Sequence, residues 1–145
     1  MQTGSHIRLV VWKAAKAVER VDLDSIHQTG LSLSDFAIME ALLHKGPLPI
    51  SQIGEKVLLS SGSMTAAVNR LEKSGHVQRI QDPSDGRCFY VHLTKTGRRI
   101  VSAAFRRLAQ TLEKAAEILS AEERSQLIHL LKKIGKHAQR ISRDI

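Results

Sequence analysis

The chain has 145 residues, enough for one domain or one compact domain with helical extensions, and its 42% apolar and 25% charged content excludes disorder as the default. Aromatic residues make up only 3%, so the core must be aliphatic, and the single cysteine, Cys88, excludes an internal disulfide and a multi-cysteine zinc site. A formal net charge of +8 at pH 7 and a pI near 10.1 suit a polyanionic partner.

No apolar run approaches the roughly 20 residues that span a bilayer, and the start lacks the basic, apolar, small-residue order of a secretory signal. A cytoplasmic protein with no membrane partner is expected. The seven histidines are scattered without metal-binding spacing, so no metal or other cofactor is expected.

Residues 7–26 form the first predicted helix, with Val10, Val11, Ala14, Ala17, Val18 and Val21 close to i, i+3, i+4, i+7 spacing and Arg8, Lys13, Lys16 and Arg20 on the wetter side. Thr29 and Gly30 break the pattern. A second helix is predicted over 35–45, capped by Ser34, striped by Phe36, Met39, Leu42 and Leu43, and ended by Gly46 and Pro47. Leu48-Pro49-Ile50 is too short for an independent strand but long enough for a minimal third edge on a small sheet.

The chain is organised around residues 50–97. A short helix over 50–57, with Ser51 as its predicted N-cap, precedes the stretch from Ser60 to Gly75. There Met64, Ala67, Val68 and Leu71 give one narrow apolar face. The outward groups are small or polar, and Glu72 is the only acid among them. Such a face can approach the base edges of a DNA major groove and hydrogen-bond them. Two helices joined by a tight turn make a helix-turn-helix. Two short strands follow, 76–81 and 88–93, separated by the turn-forming run Asp82-Pro83-Ser84-Asp85-Gly86-Arg87. Phe89, Val91 and Leu93 alternate, so one face of the hairpin is predicted to cover the helices. Residues 61–100 hold seven basic and three acidic side chains, a net of +4, whereas residues 1–60 balance at six of each. The remaining excess, nine basic against five acidic, lies in the C-terminal helices.

Thr94 is placed to cap a long helix over 95–119, with Ile100, Ala104, Leu108, Leu112, Ala115 and Leu119 along one seam. Ser120 and Glu123 then form a capping box, so a last helix starts there. In it Leu127, Leu131, Ile134, Ala138, Ile141 and Ile145 alternate spacings of four and three, a heptad seam. The chain has little left to cover such a stripe, which marks an interface. The expected fold is mainly α with a small β-hairpin: a winged helix-turn-helix over 31–97, flanked by an N-terminal helix (1–30) and C-terminal helices (98–145) that dimerise. Val10, Val18, Leu127, Leu131, Ile134, Ala138 and Ile141 are the candidate dimer contacts.

This order of elements resembles the MarR (multiple antibiotic resistance regulator) family of bacterial transcription regulators. The resemblance runs through Leu33-Ser34-Asp35-Phe36-Ala37-Ile38-Met39-Glu40-Ala41-Leu42, the helix-turn-helix, Asp85-Gly86-Arg87, and Val91-His92-Leu93-Thr94-Lys95-Thr96-Gly97. It covers about residues 7–143. It implies a homodimer, a pseudo-palindromic operator, repression of nearby genes, and release by a small, often phenolic or amphipathic ligand. The family pattern puts base and phosphate contacts on 61–73, giving Ser61, Ser63, Thr65, Ala66, Asn69, Arg70 and Lys73 as candidates. It puts a minor-groove contact on Arg87, held in place by Asp85. A guanidinium on a wing tip suits a narrow groove of concentrated negative potential, and the Asn69 carboxamide can pair bidentately with adenine.

An enzyme has no support, since neither a phosphate-cradling Gly-rich loop nor a nucleophile with its base occurs. The competing readings are a winged helix for protein–protein contact, a DNA binder of low sequence preference, and a thiol-based electrophile sensor. In the last, Arg87 and Arg79 would stabilise a Cys88 thiolate. The branch of the family that senses oxidants through an N-terminal cysteine is not matched, because no cysteine lies there.

Overall fold

The computed structural model describes residues 2–57 and 61–144; at Ser61 the description is limited to the backbone. Ser60, the join between the two helices of the helix-turn-helix, and Ile145 of the heptad seam lie outside the described residues. Among the described residues nine elements follow in order: α1 (Thr3–His27), α2 (Leu33–Lys45), β1 (Leu48–Pro49), α3 (Ile50–Val57), α4 (Ser61–Lys73), β2 (Val77–Asp82), β3 (Asp85–Leu93), α5 (Lys95–Ala116) and α6 (Ala121–Arg143). They pack as two compact units, Met1–Ala109 and Gln110–Ile145.

In the first unit the core is aliphatic, as the scarcity of aromatics requires. Phe36, Ile38, Met39 and Leu42 of α2, Ile53 of α3, Met64, Ala67, Val68 and Leu71 of α4, and Val101, Ala104 and Leu108 of α5 are all buried. Ile38 and Val101 lie outside the predicted stripes, while Leu43 and Ile100 are only half-buried: α2 packs against α1, α3, α4 and β3, and the buried face of α5 runs through Gly97, Val101, Ala104 and Leu108. The apolar residues of α1 are largely exposed, and Ile26 alone is buried in that helix.

Two of the predicted helix caps are displaced, and a third forms as read. Ser32, not Ser34, caps α2: its side chain accepts from the Asp35 N–H at 3.1 Å, and Ser34 sits inside the first turn. Ser51 likewise lies inside α3, which begins one residue earlier. Thr94 does cap α5, with Oγ1 accepting from the Gly97 N–H at 3.0 Å. That hydroxyl also donates to the Gly75 carbonyl at 2.6 Å, which ties the start of α5 to the turn after α4. Gly75 has φ +77°, the left-handed conformation that ends a helix without a Cβ penalty.

The three strands are antiparallel in the order β1-β3-β2. The minimal third edge exists, with Leu48 opposite Val91 and Pro49 opposite Tyr90. The hairpin strands reach further into the turn than predicted, leaving only Pro83 and Ser84 between them. Val91 is fully buried against the helices, but Phe89 is 44% exposed because the wing has by then passed beyond them. Only the base of the hairpin therefore covers the core.

The second unit contains α6 and the end of α5. The capping box is complete, with Glu123 N–H donating to Ser120 Oγ at 3.1 Å and Ser120 N–H to Glu123 Oε2 at 2.8 Å. Arg124 donates to the Ala116 and Leu119 carbonyls and pairs with Glu113, which closes the turn between α5 and α6. No described residue of α6 is buried.

Candidate nucleic-acid interface

The apolar face of α4 sinks into the core, so its opposite face must be the outer one. Ser63, Thr65, Ala66, Asn69, Arg70 and Lys73 are all exposed. The side chain of Ser61 lies outside the described residues. The candidate surface on α4 is therefore one face of the helix, carrying hydroxyls, a carboxamide and two cations.

Two of these groups are held from behind. Arg70 Nη2 donates to Asp35 Oδ1 of α2 at 2.9 Å, and with 56% of its side chain exposed it keeps further N–H groups for a partner. Asn69 Oδ1 accepts from Arg79 Nη2 at 2.6 Å. Arg79 is in turn gripped by Glu72, whose two oxygens accept from its backbone N–H at 3.1 Å and its Nη1 at 2.9 Å.

The wing is built by local hydrogen bonds. Asp82 Oδ1 accepts from the Ser84 N–H and hydroxyl at 2.9 and 2.8 Å, and those bonds, the backbone one foremost, hold its carboxyl below the ordinary value. Gln81 Nε2 donates to the Gly86 carbonyl at 2.7 Å. Asp85 Oδ1 accepts from the backbone N–H of Arg87 at 3.0 Å. Asp85 thus sets where the Arg87 side chain leaves the turn, through its backbone rather than its guanidinium. Arg87 itself is exposed on the wing.

Cys88 is half-buried beside it. Arg79 does not flank that thiol: it stands opposite Val91 in the strand register, and its guanidinium is turned to Glu72 and Asn69. Half of the electrostatic basis for a reactive Cys88 is therefore removed, and the electrophile-sensor reading is not favoured. Among the described residues no group of three or more His, Cys, Asp or Glu side chains gathers where it would hold a metal ion. Nor is any helix among them long and apolar enough to cross a membrane.

The candidate dimer residues Val10 and Val18 of α1 and Leu127, Leu131, Ile134 and Ile141 of α6 are 44 to 54% exposed, and Ala138 is exposed with them. Within α1, α2 and the end of α3 lies an open cleft of about 590 Å³, walled by Trp12, Val18, Leu33, Ala37 and Val57. Asp22 borders it, its carboxyl raised by burial and then by the nearby Glu19 charge.

Residues 31–89 match the MarR family. The chain is 36% identical over 141 residues to the uncharacterized HTH-type transcriptional regulator YkoM of Bacillus subtilis, covering 97% of this chain and 92% of that one. The chain belongs to the MarR family. It is also 33% identical to the HTH-type transcriptional regulator MhqR of Bacillus subtilis, over 90% of each chain. The same fold occurs in NadR, solved in complex with 4-hydroxyphenylacetate, with a TM-score of 0.81 and 22% identity over 90% of this chain and 92% of that one. This MarR-family protein is accordingly a DNA-binding transcription regulator with a winged helix-turn-helix.

Sequence reasoning named the outward residues of α4 and missed what stands behind them. The tie from Asp35 to Arg70 spans 35 positions, and the tie from Glu72 through Arg79 to Asn69 forms only where β2 folds back along α4. One signal was present: Glu72 is the sole acid on an otherwise basic helix, which calls for a cationic partner.

Proposed function

We propose that the chain is a homodimeric repressor that reads a pseudo-palindromic operator with α4, anchors in the flanking minor groove with Arg87, and is released by a small ligand. Residues 1–30 and 98–145 build the dimer and 31–97 read the DNA, with no catalytic role for the chain. The observation that carries this reading is the division of α4 into a buried aliphatic face and an exposed face of hydroxyl, amide and cationic groups, beside a wing that exposes Arg87. Ser63, Thr65, Ala66, Asn69, Arg70 and Lys73 are the contact surface, with Ser61 carried over from the family pattern. The exposed apolar stripes of α1 and α6 support a second copy as their cover. The cleft between α1 and α2 is the candidate effector site, and an aromatic acid such as the 4-hydroxyphenylacetate held by NadR sets the class of ligand to try first.

The test is competition binding between the chain's own upstream DNA and random duplex. The specific DNA is expected to compete at least about 10³-fold better at physiological salt. Arg87→Ala should weaken specific binding by about 1 to 3 kcal/mol, most on operators with A·T-rich flanks. Equal competition by both DNAs would replace this reading with low-specificity binding.

A further inference from the structure

Arg79 joins the wing to the recognition helix through three hydrogen bonds. It lies on β2 opposite Val91, on the face of the sheet turned toward the helices. Glu72 holds both its backbone N–H and its Nη1, so the guanidinium is fixed before Asn69 is considered. Its Nη2 then meets Asn69 Oδ1 at 2.6 Å. Every guanidinium nitrogen is a donor and none an acceptor, so only the oxygen end of the carboxamide can face it. The flipped amide would set N–H against N–H. The carboxamide of Asn69 therefore has one orientation, with its oxygen committed to the wing.

This changes what Asn69 offers a base pair. Bidentate pairing with adenine uses the amide oxygen as acceptor and the amide nitrogen as donor together. An oxygen already bonded to a cation is a poorer acceptor for a second donor. The same polarisation makes the Nδ2 hydrogens better donors. In the major groove guanine presents two adjacent acceptors, N7 and O6, and thymine presents O4, whereas adenine sets its N6 amino group beside N7, where another donor is repelled.

We propose that Arg79 is a positioning residue for sequence reading: it locks the Asn69 carboxamide so that α4 presents a donor, and Asn69 selects guanine or thymine over adenine. The proposal rests on the reading of α4 as the base-contacting helix. Arg79 acts through Asn69 and touches no base.

The experiment is selection from randomised operator duplexes with the full-length protein and the variants Asn69→Ala, Asn69→Asp and Arg79→Met. Loss of preference in Asn69→Ala identifies the position that Asn69 reads, and wild type should show guanine or thymine there. Arg79→Met frees the carboxamide, so the ratio of adenine to guanine at that position should rise roughly tenfold. Asn69→Asp keeps and strengthens the Arg79 contact but replaces the donor by an acceptor. It should turn the preference toward cytosine, whose N4 amino group donates, by roughly tenfold. This variant retains the ion pair that braces the hairpin, so it carries the test if Arg79→Met melts early. Adenine selected by wild type at that position, or an Arg79→Met protein of lower affinity with an unchanged base pattern, would overturn the proposal. So would an Asn69→Ala protein with no altered position while wild type still selects an operator; loss of selection by wild type itself would instead overturn the DNA-reading role of α4.

Discussion

The two helices α4 and α6 both lie at the surface, and they are unfinished in opposite ways. α4 buries Met64, Ala67, Val68 and Leu71 to within 1% exposure and leaves outside small, amide, hydroxyl and cationic groups, with Glu72 as the one acid among them. α6 buries nothing and leaves Leu127, Ile128, Leu130, Leu131, Ile134 and Ile141 exposed. A polar, basic surface is already satisfied by water and gains from a polyanion through charge and counterion release. An apolar stripe of that length is not satisfied by water and gains from another apolar surface. The composition of the outward face, rather than exposure itself, therefore separates the helix proposed to face DNA from the one proposed to self-associate.

The largest effect should come from reversing the character of α6. Replacing Leu131 and Ile134 together by Glu should give monomers, because burying unpaired charge in an interface costs several kcal/mol. Sedimentation velocity checks this, and a dimer of unchanged stability would remove α6 from the interface. The same variant should keep the helical content of the wild type, since neither side chain is part of the buried core.

A pair of glycine substitutions sharpens the contrast between the packed and the open region. A Cβ on Gly97 would fall 2.0 Å from the His76 carbonyl oxygen, where the start of α5 rests on backbone, so Gly97→Ala should cost about 3 kcal/mol. A Cβ on Gly135 in α6 meets nothing within 4 Å, so Gly135→Ala should stabilise the helix by up to about 1 kcal/mol. Thermal melts of the two variants against wild type give the comparison directly. Similar destabilisation by both would mean that α6 is as tightly covered as the winged-helix core.

These two regions also differ in how much of them was legible in the chain. The inner face of α4 follows from period alone, since Met64, Ala67, Val68 and Leu71 recur at i, i+3, i+4, i+7 and the structure buries each. The capping box at Ser120 and Glu123 and the cap at Thr94 depend on residues three apart, and they form as read. The cap of α2 was misplaced because Ser32 and Ser34 both have suitable side chains, and only the backbone path decides between them. The wing strands run further because register, with Asp82 opposite Asp85, overrides the turn propensity of Asp and Gly. The partners in the braces behind the candidate site were not legible, although the lone acid Glu72 signalled that a cation would meet it. Asp35 and Arg70 are 35 positions apart, and Arg79 reaches Asn69 only once β2 has folded back along α4. No periodicity encodes such contacts.

The smallest effect concerns the cleft acid Asp22, whose folded-state pKa is raised above the ordinary 3.8 by burial first and the Glu19 charge second. A raised carboxyl binds its proton more tightly in the folded than in the unfolded chain, so its ionised form subtracts from stability above the folded pKa. That penalty disappears as pH falls below the unfolded value. Asp22→Asn should therefore stabilise the protein at about pH 7 by no more than about 0.5 kcal/mol, with no gain at about pH 3. Denaturant melts at the two pH values check the sign, and a gain that persisted in acid would assign the effect to packing.

Footprinting the purified protein along its own upstream DNA tests most directly whether the polar face of α4 reads DNA while the apolar face of α6 pairs two copies. The expected result is protection of an inverted repeat with half-sites about one helical turn apart or a multiple of it, together with hypersensitive or protected A·T-rich flanks where Arg87 enters. Protection of a single unrepeated site, or uniform protection without sequence preference, would contradict the account.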